Sequence, residues 1–420
     1  MNIKNIHNVE YGILDRCQIT NEKNLELVAD FGNQPLCDTL LEEKQLNKQE
    51  KFYPLRLYRS PTLGHGQLDF IVPANEVYHP DYPYRPGITQ EVHTHHKKRC
   101  NETIEKFNLN QKDLVLDIGS NDGTLLSYYK KKNIRVLGVE PTNTYKFALK
   151  EGVETLNEFF DEKIAKDIIT NYQIPKIITA TNVFAHMAAL GSFMAGIRLL
   201  LDKQNFFIFE NHYIVNILNE NQYDSIYHEH IRSYSLKSLE VLFEMYDMKI
   251  LDCEVVDRYG GSIRVIVSDK SNNFKVSNNV SNLLKFEKNF GLFDQKVWEN
   301  FSLNVKKTKE DLMNLALDAK ENGKRLVGKS CPGRCSTLIN YVGLDKTLMP
   351  YISEQNTSLK LGKYLPGKHI PIVSDDILLK DNPDYIIIFA WHYGKEIIQY
   401  LKKMGLKSKF ILPLPNVKII

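Results

Sequence analysis

The run Leu-Val-Leu-Asp-Ile-Gly-Ser-Asn-Asp-Gly-Thr-Leu-Leu, residues 114–126, decides the fold of this chain. LVLDIG (114–119) is a short apolar stretch that ends in glycine and leads directly into a helical stretch, TLLSYYKKK. A strand that closes in a glycine turn and opens a helix is the first unit of a parallel α/β sheet, because glycine lets the backbone turn tightly and approach a ligand. The same rhythm continues downstream: RVLGVE (135–140), a helix around Tyr145–Lys150, KIITAT (176–181), a helix near Ala188–Leu201, then NFFIFE (205–210). Apolar strands that alternate with helices are buried on both faces, as a parallel sheet requires. KILDCEVVD (249–257) and SIRVIVSD (262–269) read as two closing strands.

The turn also points to a cofactor. Gly119 and Gly123 do not follow the dinucleotide spacing, and the loop is shorter and more acidic, as is usual in methyltransferases. Carboxyl groups at Asp117 and Asp122 suit a cationic sulfonium and an ammonium better than a pyrophosphate. Ser120 and Asn121 lie in the same turn, and Glu140 ends the second strand, where a carboxylate can accept both hydroxyls of a ribose. Asn182 and His186 belong to TNVFAH (181–186), at the end of a further strand on the same sheet edge. The cofactor these residues favour is S-adenosyl-L-methionine.

Outside this centre the texture changes. Residues 1–100 are rich in Pro, Tyr and polar breaks and read as turns and short strands with little helix. Residues 101–270 form the cofactor-binding domain, 271–322 a helical connection, and 323–420 a second, smaller Rossmann-like unit. In that last unit RLVGK (325–329), HIPIVS (369–374), YIIIFA (385–390) and KFILPLP (409–415) are strand-like. The chain has 420 residues, enough for two or three domains. A formal net charge of +3 gives no field that invites nucleic acid or an anionic membrane. No run reaches the roughly 20 apolar residues that cross a bilayer, and the first residues lack an apolar signal core. Six scattered cysteines are too sparse for a disulfide framework, so a reducing cytoplasm is the expected location.

A second cluster carries chemistry. YHEHIRSYS (227–235) packs Tyr227, His228, Glu229 and His230 ahead of the helix SLKSLEVLFEMY. Transfer of a methyl group to carbon needs a base for a proton next to a carbonyl and a donor for the enolate. His230 suits the base, Tyr227 the donor, and Glu229 can orient an imidazole or bind a hydroxyl. The His-x-His pair lacks a third ligand at metal spacing. The bland alternatives are a satisfied buried imidazole, for His228 above all, and helix capping by Ser233 or Ser235.

With these motifs in hand, the chain resembles the sugar C-methyltransferases of deoxysugar biosynthesis, which methylate C3 of dTDP-linked 4-keto sugars. FGNQPLCDTLL resembles that family's N-terminal "GNQPLA" segment, and DYPYRPG its Tyr-x-Tyr loop. DIGSNDGTLL, NVFAH, YHEHIRSYSL and YGGSIRV resemble successive parts of its methyltransferase domain. LGKYLPGKHIPI and FILPLPNVKII resemble its C-terminal domain. The resemblance spans nearly the whole chain. It implies a central class I methyltransferase domain of Rossmann-like α/β fold, an irregular N-terminal domain of degenerate zinc-binding type and a Rossmann-like C-terminal domain that helps hold a nucleotide-linked sugar. It carries over His230, Glu229, Tyr227 and His186 as the sugar site, with Tyr82 or Tyr84 reaching in from the loop. Arg334, Lys363 and Tyr364 are the substrate contacts it implies in the C-terminal domain.

Two departures stand out. The family carries two Cys-x-x-Cys pairs for zinc; here they read Cys17-Gln18-Ile19-Thr20 and Ser60-Pro61-Thr62-Leu63. One thiolate does not hold structural zinc, and the spacings of Cys37, His65 and His93 do not suggest a rebuilt site, so this domain is expected to fold without metal. The family's GYGAPAKGNTLLNY-like stretch is GKSCPGRCSTLINY here, with Arg334 in place of the basic residue and Cys331 and Cys335 as small packing residues. These changes leave the sugar and the nucleotide open, and the sequence says nothing of oligomeric state. Other functions compatible with the motifs are an O- or N-methyltransferase on the same scaffold and a non-catalytic protein that binds S-adenosylmethionine or a sugar nucleotide.

Overall fold

A computed structural model describes residues 9–78, 85, 87 and 90–420. Tyr82 and Tyr84 lie outside the described residues. The N-terminal part is a four-stranded antiparallel sheet. It holds β1 (Glu26–Pro35), β2 (Phe52–Arg59), β3 (Gly66–Leu68) and, beyond β3, the distant short strand Arg232–Ser233. The alternating apolar face of β2 is buried, whereas β1 bulges around Gly32. That bulge breaks the period-two pattern on which strand recognition depends.

The central sheet has seven strands: β4 (Leu114–Ile118), β5 (Arg135–Val139), β6 (Thr155–Leu156), β7 (Ile177–Thr181), β8 (Phe206–His212), β9 (Met248–Val256) and β10 (Ser262–Asp269). Their order is β9-β10-β8-β7-β4-β5-β6, parallel from β8 to β6, with β10 antiparallel to β8 and β9 antiparallel to β10. All five residues of β4 are buried, as expected of a strand covered on both faces. Because β4, β5, β7 and β8 run in parallel, the residues that follow them meet at one edge of the sheet, where open α/β sheets take their ligands.

Helix α1 (Gln90–Phe107) crosses the boundary placed at residue 101, and the texture of residues 1–100 does not announce it. Its inward face carries Val92, His96, Arg99 and Cys100, so the polar side chains hide the apolar period. What holds α1 down is charge. The buried Glu210 on β8 receives His95 (2.8 Å) and Arg99 (3.0 Å) from α1 and Arg264 (2.6 Å) from β10. Burial alone would raise the Glu210 carboxyl, but these cations hold it well below the usual carboxylate range.

Helices Asn278–Phe290 and Gln295–Glu321 form the connection. Ser277 caps the first, and Gly291, at φ 78°, ends it. The second sheet follows, with β11 (Leu326–Lys329), β12 (Ile352–Glu354), β13 (Ile372–Ser374), β14 (Tyr385–Ile388), β15 (Lys409–Leu412) and β16 (Lys418–Ile419) in the order β13-β12-β11-β14-β15-β16. It is parallel except for the last pair.

The parts meet at a buried ion pair. Arg334, at the start of helix α2 (Cys335–Val342), donates through Nε and Nη2 to both oxygens of Asp224, at 2.8 and 2.7 Å. Nη2 also reaches the Ser225 hydroxyl (2.6 Å), and Trp391 Nε1 adds a bond to Asp224 (2.9 Å). Removing one partner of such a pair strands a buried charge. Asp224→Ala is expected to lower stability by about 3–5 kcal/mol, measured as a lower urea midpoint. Adding Arg334→Met to that variant is expected to recover part of the loss.

Candidate active site

A cavity of about 380 Å³ opens where the carboxyl ends of β4, β5, β7 and β8 meet the loop 223–231 and the C-terminal sheet. One side is built by the glycine turn. Gly119 has φ 67°, and a Cβ there would come within 2.4 Å of Val183 Cγ2, so only glycine fits. Glu140 is buried; its Oε2 accepts from the Asn121 amide (2.9 Å) and its Oε1 from the amide and hydroxyl of Thr142 (2.8 and 2.5 Å). Burial raises its carboxyl above the ordinary range against these bonds. Asp117 accepts from the Thr179 hydroxyl at 2.6 Å, and burial pushes its carboxyl up to about 7. Ser120 Oγ and Asn182 Oδ1 are buried without a hydrogen-bond partner. Unsatisfied polar atoms beside buried carboxyls raised above their ordinary range fit an adenosine with an amino-acid tail.

Asp117, Gly119, Ser120, Asn121, Glu140 and Asn182 all line the cavity, but Asp122 and Gly123 do not. Asp122 instead starts the helix Thr124–Lys130. Its Oδ1 accepts from the amide (3.3 Å) and hydroxyl (2.6 Å) of Thr124, and its Oδ2 from the Gly87 amide (3.0 Å). Gly123, at φ 75°, packs against Ala148, where a Cβ would clash at 2.8 Å. These two residues frame the turn.

The opposite side gathers rings. His230 sits with its ring centre 4.0 Å from that of Tyr227, 4.3 Å from that of His212 and 5.0 Å from that of His186. His230 Nδ1 lies 2.6 Å from the Ser225 carbonyl oxygen. A carbonyl only accepts, so Nδ1 carries the hydrogen and Nε2 keeps its lone pair. Burial pushes His230 down to about 3, with Arg334 adding to the effect, so the ring is neutral at ordinary pH. His186 Nε2 is buried without a partner, and its ring stacks on Tyr78 at 6.1 Å. Burial, then Glu229, raises the Tyr227 phenol well above its ordinary value, so it remains a donor. Glu229 accepts from Cys37 Sγ at 3.5 Å, and Cys37, Asp38 and Glu229 offer ligand atoms within 4.8 Å of one another.

His228 turns away, with Nε2 at 3.3 Å from the carbonyls of both Tyr53 and Pro54, the satisfied buried imidazole that the sequence left as an alternative. Ser235, with Ser238, caps the helix Leu236–Glu244. Of the three substrate contacts implied in the C-terminal domain, only Arg334 lines the cavity, and Asp224, Ser225 and the Tyr259 carbonyl already occupy its guanidinium. Tyr364 is paired with Leu41 through backbone bonds of 2.8 and 2.9 Å, and neither it nor Lys363 lines the cavity. The cations that do, beside Arg334, are Arg258 and Lys360. Sequence reasoning missed these two, and it also missed Tyr78, His212, Tyr259 and His392. His212, the last residue of β8, and His392, just past β14, had a legible signal, since each sits at the carboxyl end of an apolar strand as Glu140 does; Lys360 had none.

The former zinc positions do not fit a zinc ion. Cys17 is the one thiol among them, and Thr20, Ser60 and Leu63 fill the rest. Burial raises the Cys17 thiol, but His65 beside it more than offsets this and brings it to about 7. Cys37 stands instead against Glu229, and His93 is bound to the Tyr128 hydroxyl and the Gly87 carbonyl, each at 2.9 Å. Neither joins Cys17.

Three family models match the chain: one described as "Putative zinc binding domain" over residues 17–78, "Methyltransferase domain" over 92–252, and "C-methyltransferase C-terminal domain" over 257–415. C-methyltransferase NovU of Streptomyces niveus is 28% identical over 412 residues, covering 97% of both chains. Among solved structures, a SAM-dependent methyltransferase from Anabaena variabilis ATCC 29413 is 16% identical, with a TM-score of 0.33 over 40% of this chain and 83% of that one. The PH0226 protein from Pyrococcus horikoshii OT3 is 14% identical, with a TM-score of 0.35 over 43% of this chain and 92% of that one. A class I sheet with its glycine turn, and matches to three domain models in chain order, agree with the resemblance drawn from the motifs: the chain is a methyltransferase, similar over its length to C-methyltransferases.

Proposed function

We propose that the protein methylates a carbon of a nucleotide-linked 4-keto sugar, with His230 as the base. The observation that carries this reading is the bond from His230 Nδ1 to the Ser225 carbonyl. It fixes the tautomer and leaves Nε2 as an acceptor in a cavity that the Gly119–Asn121 turn and Glu140 also line. Asp117, Ser120, Asn121, Glu140 and Asn182 would hold S-adenosylmethionine, which when bound supplies an electrophilic methyl group on a positively charged sulfur. Nε2 of His230 takes the proton next to the 4-ketone. Tyr227 or His186 donates to the oxygen that becomes the enolate, and the carbon so generated is the nucleophile that C-methylation needs. An anionic sugar nucleotide in the cavity raises the basicity of His230, because negative charge favours the protonated ring. Glu229 binds a sugar hydroxyl. The C-terminal domain completes the acceptor site, and Arg258 and Lys360 bring positive charge to the cavity wall that a diphosphate would face. Arg334 acts indirectly, by holding Asp224 and Ser225.

No helix among the described residues is long and apolar enough to cross a membrane. All six cysteines are free and buried, which supports work in a reducing compartment such as the cytoplasm. The N-terminal domain folds without zinc on this reading, and elemental analysis of purified protein is expected to find it well below one per chain.

The deciding experiment incubates the protein with S-adenosylmethionine and a panel of nucleoside-diphosphate 4-keto deoxysugars in deuterated water, read by mass spectrometry. One methyl group is gained on a keto sugar, and deuterium enters the adjacent carbon even without cofactor. His230→Asn lowers both by roughly 10²–10⁴-fold. If the cofactor binds and neither signal appears, the acceptor is an oxygen or nitrogen. A second measurement concerns Asp117. Its carboxyl sits near 7 without ligand, and a cationic ammonium favours its ionised form. Affinity for S-adenosylhomocysteine is therefore expected to rise with pH below about 7 and level off above it, with Asp117→Asn flattening the profile.

A further inference from the structure

Helix α1 contributes Val92 and His96 to the cavity wall. His96 is only 6% exposed, and its Nδ1 is buried with no hydrogen-bond partner. An imidazole nitrogen removed from water and left unbonded costs free energy, and a ligand that bonds it removes that cost. The charges nearby identify that ligand. Arg99 and Arg258 both act on the ring, and with burial they hold it neutral. Arg99 is already committed to Glu210 and to the Thr181 hydroxyl, at 3.0 and 2.5 Å. Arg258 lines the same cavity as His96.

The amino-acid end of S-adenosylmethionine carries an ammonium and a carboxylate. Asp117 answers the first. For the second, the side chains of the glycine turn, Ser120 and Asn121, bring no positive charge. We propose that His96, with Arg258 nearby, binds the carboxylate at the methionyl end of the cofactor, an inference that rests on reading this cavity as the cofactor's site. The carboxylate offsets the two guanidinium groups and lets the ring donate a charge-assisted hydrogen bond. Helix α1 then serves as the wall that recognises the amino acid, and the Glu210 clamp on His95 and Arg99 sets its position one turn from His96.

Equilibrium binding of S-adenosylhomocysteine and of 5′-methylthioadenosine separates the parts, because the second ligand keeps the adenosine and sulfur but lacks the amino acid. With His96→Ala, affinity for S-adenosylhomocysteine is expected to fall on the order of tenfold to a hundredfold, the loss of a charge-assisted bond. Affinity for 5′-methylthioadenosine is expected to stay within about twofold, which also shows that the cavity is intact. His96→Gln, whose amide still donates, is expected to recover part of the loss. Unchanged S-adenosylhomocysteine binding, or parallel losses for both ligands, would overturn the assignment. Failure of the unaltered protein to bind either ligand would instead bring down the cofactor reading, and this inference with it.

Discussion

The grip of Arg334 on Asp224 organises this molecule. Each group is buried, each would be costly alone, and together they tie the C-terminal domain to the turn Tyr223–Ser225. That turn supplies the carbonyl that sets His230, so a contact made by the last domain fixes the tautomer of a ring in the middle one. The loop is held along its whole length. His228 donates to the N-terminal sheet, Arg232 reaches Gln18 and the Met187 carbonyl, and Ser235 donates to the Leu63 carbonyl at 2.6 Å. Glu287, from the helical connection, accepts from the amides of Leu236 and Lys237. All parts of the chain therefore bear on the segment that carries Tyr227, Glu229 and His230, and none of them builds the site alone.

Three buried carboxyl groups at the edge of the central sheet show how partners decide charge. Glu210 meets two arginines and a histidine and stays ionised. Glu140 has two amides and a hydroxyl, which only partly answer burial. Asp117 has one hydroxyl and is driven up to about 7. The first is structural and clamps α1. The other two keep unspent capacity, and that capacity is what a cofactor with hydroxyls and an ammonium can use. The histidines follow the same logic from the other side. Burial keeps His96, His186, His212 and His230 neutral, so each ring has one nitrogen that accepts and one that donates a hydrogen bond.

The N-terminal domain solves a different problem. Four positions that hold metal ligands in the family carry a thiol, two hydroxyls and a leucine here. The surrounding residues have closed over them: Cys17 and Leu63 are buried in the main core, and the Thr20 amide donates to Cys17 Sγ at 3.4 Å. Gln67, also buried, bonds the Gln18 amide and the Arg16 carbonyl, both at 3.0 Å. Hydrogen bonds to backbone and apolar packing thus join these segments.

The sequence by itself determined most strands and helices of the central and C-terminal sheets, because apolar runs between glycine turns leave little choice of period or partner; the short strands Thr155–Leu156, Ile352–Glu354 and Lys418–Ile419 escaped it. It also determined the turn at Gly119, the carboxyl at Glu140 and the cluster Tyr227–His230, since each is a local motif. Helix α1 escaped because much of its inward face is histidine and arginine, whose partners lie on β8 and β7. For the same reason Arg334 reads from the sequence as a free cation, when in the fold it is spent on Asp224, 110 residues away. Lys360, Arg258, His96 and Tyr78 reach the cavity from separate elements and carry no shared motif. What the tertiary structure alone decided is which charges are already paired, for pairing depends on distance in space and burial, and neither is written in local spacing.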